Sequence, residues 1–234
     1  MNTQTPSPSQ AFAQLQSTLD PYLQSAKTIL EAGGGSASHI DLPAAAEITV
    51  IDISPEQLAN HQTARHKILG DLHTVDFGTA TFDAAIIWNV IEHLENPTLV
   101  LDKLSAAIRP GGILIIAAPH PASLQAKIAK WTPHSFHVFV LRHVFKSKTA
   151  GLPGFAPFPT VYHADIDPKH LQAWAKQHHL ETLLYLEYES TRRATLQQRS
   201  PAVGFLWNLA IKIGNTLTRG RLEASDYFFV VKSR

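Results

Sequence analysis

Cysteine is absent from the 234 residues, which excludes disulfides, thiolate metal ligands and a cysteine nucleophile. A surplus of one charge is missing too. Twenty Lys and Arg stand against nineteen Asp and Glu, so no strong field draws a phosphate backbone, and nucleic acid is not an expected partner. No run approaches the roughly eighteen uninterrupted apolar residues of a membrane span. The opening MNTQTPSPSQ has neither the basic start nor the apolar run of a signal peptide. There is no internal repeat or coiled-coil heptad. On these absences the chain is expected to be soluble and cytoplasmic, and its length is enough for one domain with a sizeable core.

What is present is an alternation of strands and helices. Residues 1–10 are rich in Pro, Ser, Thr and Gln and are expected to form a disordered tail, with order beginning near Ala11. Phe12, Leu15, Leu19 and Leu23 recur at helical spacing, interrupted by Pro21, which predicts a broken amphipathic helix. Apolar runs at Thr28–Leu30, Glu47–Asp52, Lys67–Leu69, Phe82–Trp88 and Ile113–Ala117 predict five strands. Helices are predicted after Ser54-Pro55 and over Pro97–Ile108, the latter stopping at Pro110-Gly111-Gly112. Such runs alternating with helices predict an α/β fold, a doubly wound and mostly parallel sheet covered on both faces. Residues 120–165 lack a clean period and are expected to form an inserted lid or substrate lobe. Regular structure resumes with a helix over Pro168–His178, a strand over Leu183–Glu189, a helix over Phe205–Leu217 and a last strand over Asp226–Lys232. Residues 11–234 are thus expected to form a single domain.

In such sheets ligands sit beyond the carboxyl ends of the strands, where the strand order reverses. Glu31-Ala32-Gly33-Gly34-Gly35 ends the first strand there. Glycines permit a sharp turn and close approach of a ligand, and a following helix is expected to offer free N–H groups. Glu31 would oppose a pyrophosphate but suits a ligand that carries an ammonium and a sulfonium. A nicotinamide fingerprint also needs glycine where Ser38 stands, so an oxidoreductase is the weakest reading. Asp52, seventeen residues past Gly35, can accept from both hydroxyls of a ribose, while Ser54 is the better cap for the next helix. Gly70-Asp71 can hold an adenine through a side-chain acceptor and a backbone N–H, although the pair is also a common turn.

In order and spacing, ILEAGGGSA, VIDIS, GDL, FDAAIIWNVIEHLENP and LSAAIRPGGILIIAAP resemble the motifs of class I S-adenosylmethionine-dependent methyltransferases that act on small molecules. The resemblance covers roughly residues 25–120. It implies a Rossmann-like, seven-stranded sheet whose last strand is antiparallel, and S-adenosyl-L-methionine as cofactor. By the same resemblance Glu31, Gly33 and Gly35 would hold the amino-acid end, Asp52 the ribose and Asp71 with Leu72 the adenine. Ile53 of VIDIS joins the cofactor residues, and Asn89 would close the site. Ala37 departs from the family, which usually has another glycine there. DYFFVV at Asp226–Val231 resembles the family's final strand. The stretch FPTVYHADIDPKHLQAWAKQHHLE resembles a segment beside the acceptor pocket, which places Tyr162 and His163 there.

The expected activity is methyl transfer to a small-molecule acceptor. A hydroxyl or ammonium acceptor needs a general base, and among thirteen histidines the candidates are His93, one turn past the fourth strand, and His120, just past the fifth. No metal is expected, because His134 with His137 and His178 with His179 lack a third ligand signal. The helix over Phe205–Leu217 sets Phe205, Leu209, Ile213 and Leu217 on one face and is expected to pack on its own domain. Contact with a membrane surface, helped by Trp207, Arg219 and Arg221, is its weaker reading. The alternative to an enzyme is a non-catalytic protein that keeps the cofactor fold as a partner subunit or sensor, the reading Ala37 favours. The residues assign neither the acceptor nor the oligomeric state.

Overall fold

Successive residues of the fourth strand are buried in opposite directions. Ala85 and Ile87 enter one apolar cluster, Ala84, Ile86 and Trp88 the other. Only a sheet covered on both faces has use for an apolar residue at every position. A computed structural model describes residues 5–143, 146–152, 157–191, 195, 201–218, 222 and 225–234. Its strands are β1 (Thr28–Ala32), β2 (Glu47–Asp52), β3 (His66–Leu69), β4 (Phe82–Trp88), β5 (Ile108–Pro119), β6 (Glu181–Tyr188) and β7 (Asp226–Lys232). They form one sheet in the order β3-β2-β1-β4-β5-β7-β6. β7 runs antiparallel between β5 and β6, and the pairs from β3 to β5 are parallel. The seven-stranded, Rossmann-like sheet is therefore present, with its topological switch between β1 and β4, the position at which such sheets bind ligands.

The helices are α1 (Pro8–Leu23), α2 (Pro55–Asn60), α3 (Pro97–Ala107), α4 (Leu124–Trp131), α5 (His134–His143), α6 (Pro168–Gln177) and α7 (Pro201–Thr218). Order begins earlier than the tail expectation of residues 1–10 allows. Ser7 accepts from the Gln10 N–H while the Gln10 side chain accepts from the Ser7 N–H, a reciprocal cap that starts α1 at Pro8. Nor is α1 broken. Pro21 falls in its last turn, and the Gln24 N–H still reaches the Asp20 carbonyl. One missing donor near the end leaves the buried row Ala11, Leu15, Leu19 and Leu23 intact.

Two further expectations are corrected, and the 120–165 segment gains detail. No helix follows the glycine loop: residues 33–46 run from β1 to β2 as turns and irregular chain. Three glycines and Pro43 leave too short a stretch for two good helical turns. The 120–165 segment holds α4, capped by Ser123 through the Ala126 N–H, and α5. No residue of α5 is buried, so it carries no periodic apolar row, which is why the sequence pattern does not reveal it. On α7 the expected packing row faces outward. Gly204 and Ile211 are buried, whereas Phe205, Leu209 and Ile213 are exposed. The Leu217 side chain, Arg219 and Arg221 lie outside the described residues. Among the described residues, no helix is long and apolar enough to cross a membrane.

Candidate functional site

The carboxyl ends of β1, β2 and β4 gather most of the residues expected to hold the cofactor. The β1 turn is built by Gly33 and Gly35, with φ of +69° and +60°, values that L side chains seldom adopt. At Gly33 a Cβ would lie 2.5 Å from Val90 Cγ2, so this glycine lets the β1 turn close on the turn after β4. Gly33→Ala is expected to cost about 3 kcal/mol through overpacking and backbone strain together, read from urea unfolding midpoints. A loss below about 1 kcal/mol would mean that the two turns are loosely packed.

Asp52 ends β2 half-buried, with Oδ2 accepting from the Gly35 N–H at 2.9 Å and Oδ1 from the Ser54 N–H at 2.8 Å. Its carboxylate thereby ties the glycine loop to the start of α2, and each oxygen keeps a lone pair for another donor. Ser54 caps α2 by accepting from the Gln57 N–H, as its place before Pro55 predicts. Ile53 beside it is 74% exposed, an isolated apolar surface at the edge suited to a flat ring.

Glu31 is buried at the end of β1, where Oε2 accepts from Ser38 Oγ at 2.9 Å. Burial pushes its carboxyl from 4.5 up to about 7, against the opposing effect of the Ser38 hydroxyl. The neighbouring His61 is itself held below the usual imidazole range, first by burial and then by Lys67. A buried acid with no cation in contact among the described residues is what a positively charged ligand would restore to its ionised form. The donor set thus fits a cofactor with an ammonium and a sulfonium, and does not fit a pyrophosphate.

The loop after β3 is clamped from α3. Lys103 Nζ donates to the Leu72 and His73 carbonyls at 2.7 and 3.0 Å and lies over the Phe77 ring. Asp71 Oδ1 accepts from the His73 backbone N–H and meets His73 Nδ1 at 2.7 Å. These contacts, the backbone one foremost, hold the Asp71 carboxyl below its ordinary range. His73 Nε2 accepts from the Asn96 N–H, so in the neutral ring Nδ1 carries the hydrogen that Asp71 accepts. Leu72 is buried beneath the loop.

On the other side of the switch point, Asn89 has φ of +53° and donates its N–H to the Ala117 carbonyl. Val90 leads into a 3-10 turn, Ile91–His93. His93 Nδ1 lies 2.6 Å from the Pro159 carbonyl and must donate to it, which makes Nε2 the basic nitrogen of the neutral ring. That nitrogen is 3.7 Å from Oε1 of the buried Glu92, and the Phe158 ring meets His93 edge-on. Val161 and Tyr162 donate their N–H groups to the Glu92 carbonyl, so the chain before α6 is anchored to the same turn. Tyr162 packs half-buried against the core with φ of +47°. His163 instead caps the 3-10 turn Ala164–Ile166, accepting from the Asp165 N–H, and is exposed.

His120 occupies a different setting. Its Nδ1 accepts from the Ala122 N–H, so the neutral ring carries its hydrogen on Nε2, which faces Glu187 Oε1 at 3.7 Å. Burial lowers its pKa against the pull of Glu187 and Asp167. Tyr185 donates its hydroxyl to the same Glu187 oxygen. Sequence reasoning passes over His61, His73, Glu92, Lys103, Tyr185 and Glu187. Of these, only Glu92 lies inside a quoted motif, where its place beside His93 is the one available signal.

Residues 30–116 match the family model of a methyltransferase domain. The chain is 26% identical to ubiquinone biosynthesis O-methyltransferase of Xanthomonas oryzae pv. oryzae, over 72% of its own length and 69% of that protein. Among solved structures, the plantazolicin methyltransferase BpumL in complex with SAH superposes with a TM-score of 0.57 at 13% identity, covering 96% of this chain and 83% of that one. A SAM-dependent methyltransferase from Archaeoglobus fulgidus gives 0.53 at 14% identity, over 97% and 95%. At such identities the structural matches speak to the fold.

Proposed function

We propose that the chain is a class I S-adenosylmethionine-dependent methyltransferase and that it methylates a hydroxyl oxygen of a small, largely apolar acceptor, with His93 as general base. The observation that carries the proposal is the Nδ1 contact to Pro159, which leaves Nε2 basic in a turn packed on the glycine loop. The Phe158 ring beside His93 supports an acceptor with a flat apolar body, and the O-methyltransferase relative supports oxygen as the atom methylated.

When bound, the cofactor supplies a methyl group made electrophilic by its sulfonium. Glu31, with the Gly33–Gly35 turn, would hold the cationic amino-acid end. Asp52 would accept from the ribose, and Asp71 with the Leu72 N–H would meet the adenine, with Ile53 against its ring. Asn89 would border the reacting end. His93 Nε2 takes the hydroxyl proton as the oxygen becomes a nucleophile, and the Pro159 carbonyl steadies the resulting imidazolium through Nδ1–H. His120, whose Nε2 carries hydrogen toward Glu187, is left with a structural part at the β5 exit. Residues 120–165 and Tyr162 would cover the acceptor and exclude water. His163, which caps the Ala164–Ile166 turn, would lie at the rim of the acceptor site.

A screen with methyl-labelled cofactor should place label on hydroxyl acceptors and not on amines of similar shape. Label on amines alone would overturn the oxygen assignment. Asp52→Asn should weaken binding of S-adenosylhomocysteine by about 1 to 3 kcal/mol in calorimetry, whereas unchanged affinity removes the ribose role. Ala37 and the missing helix after the glycine loop favour a second reading, a cofactor-binding protein without transfer activity. Tight binding with no label on any acceptor would select it.

A further inference from the structure

His61 has a place that neither packing nor the residue roles above explain. It ends α2, where its side chain is wholly buried, with Nε2 3.2 Å from Glu31 Oε2. Nδ1 accepts from the Ala64 N–H, so the neutral ring must carry its hydrogen on Nε2, the nitrogen beside the Glu31 carboxylate. The approach is out of hydrogen-bond alignment, and Nε2 has no hydrogen-bond partner among the described residues. A buried donor left unmade is costly, and accepting from the Ala64 N–H accounts for Nδ1 but not for Nε2. A histidine here serves something that the cofactor-free arrangement leaves incomplete.

Building on the cofactor reading above, we infer that His61 is a positioning residue for the cationic end of the cofactor, acting through Glu31. Ser38 from the glycine loop and His61 from α2 both approach Oε2, so this oxygen is directed to the protein and Oε1 is left for the ligand. An ionised Glu31 accepts more strongly than a protonated one. A cation opposite Oε1 keeps Glu31 ionised, and the waiting Nε2–H then closes on Oε2.

The groups around Glu31 are consistent with this division. Its strand neighbours in register are Val50 on β2 and Ile86 on β4, both apolar. Asp52 at the end of β2 is engaged by the Gly35 and Ser54 N–H groups. Lys67 of β3 acts on His61, and His39 of the loop stacks on Trp88. Glu31 is thus the carboxyl facing the ligand, raised by its burial, and removing a donor from it moves its protonation to higher pH.

Calorimetry of the full chain with S-adenosylmethionine and S-adenosylhomocysteine from pH 6 to 9 tests the inference. His61→Phe should weaken binding about tenfold, the loss of one charge-assisted hydrogen bond, and should shift the pH at which affinity reaches its plateau upward. His61→Gln, which keeps an N–H donor, should stay within about threefold of the wild type. In a Glu31→Gln background, His61→Phe should cause no further loss. His61→Asn, too short to reach Oε2, carries the same test should the phenylalanine variant fail to fold. Unchanged affinity and pH profile in the Phe or Asn variant overturns the role of His61, as does an equal loss in the Glu31→Gln background. If the wild type binds neither ligand, the cofactor reading itself fails, an outcome distinct from wild-type binding that ignores His61.

Discussion

Glu31→Gln is expected to stabilise the cofactor-free protein by about 2 kcal/mol at pH 8 while weakening S-adenosylmethionine binding about a hundredfold. Both effects follow from one buried carboxyl that burial pushes from 4.5 up to about 7. The folded protein holds this proton more tightly than the unfolded chain. The associated stability is therefore present in full below about pH 4.5 and lost as pH rises through about 7. The displacement from 4.5 to about 7 sets a ceiling of about 3.5 kcal/mol at about 1.4 kcal/mol per pH unit, and local relaxation around the charge reduces it. A glutamine keeps the shape and an acceptor for Ser38 yet carries no charge to desolvate. It also has nothing to offer an ammonium except a neutral carbonyl. Urea unfolding at pH 4 and pH 8 should show the variant gaining over the wild type only at the higher pH, and saturating cofactor should restore the wild type's deficit. Equal stability of the two at pH 8, or undiminished binding by the variant, would mean that Glu31 is neither strained nor opposite a cation.

Residues whose neighbours in space are also near in sequence or in strand register were legible. β4 is readable because both of its faces are apolar, and Asp52 because a strand end and a glycine loop seventeen residues earlier must meet across a parallel pair. His61 is not readable: a lone histidine after a six-residue helix has no motif, and its partner lies on another strand. Lys103 looks like an ordinary surface lysine of α3 until the loop after β3 folds under it. α5 escapes for the opposite reason, since a helix with no buried residue imposes no period on its sequence. The helix expected after β1 was borrowed from the usual construction of such sheets, and Pro43 with three glycines prevails locally. On α7 the sequence points to the row Phe205, Leu209 and Ile213 because it is the more regular apolar row, whereas the fold buries Gly204 and Ile211.

His93→Gln is expected to lower the rate of methyl transfer by about a hundredfold to ten-thousandfold, the usual worth of a positioned general base, with cofactor affinity within about twofold of the wild type. In the proposed arrangement His93 stands on the acceptor side of the turn that Val90 packs against Gly33, so its loss should register in transfer and not in calorimetry with S-adenosylhomocysteine. His120→Gln is the natural control. It removes the acceptor for the Ala122 N–H, so it should cost about 1 kcal/mol of stability and leave the rate within a few-fold. Acceptor acidity supplies the sharper measurement. A hydroxyl that ionises easily needs little help, so the penalty of His93→Gln should shrink steadily across a series of ring-substituted phenols of falling pKa. A penalty independent of acceptor pKa would identify His93 as a wall of the pocket that orients the acceptor. A large rate loss in His120→Gln instead would transfer the role of base to the β5 exit, where Glu187, held by Tyr185, is the group able to take the proton.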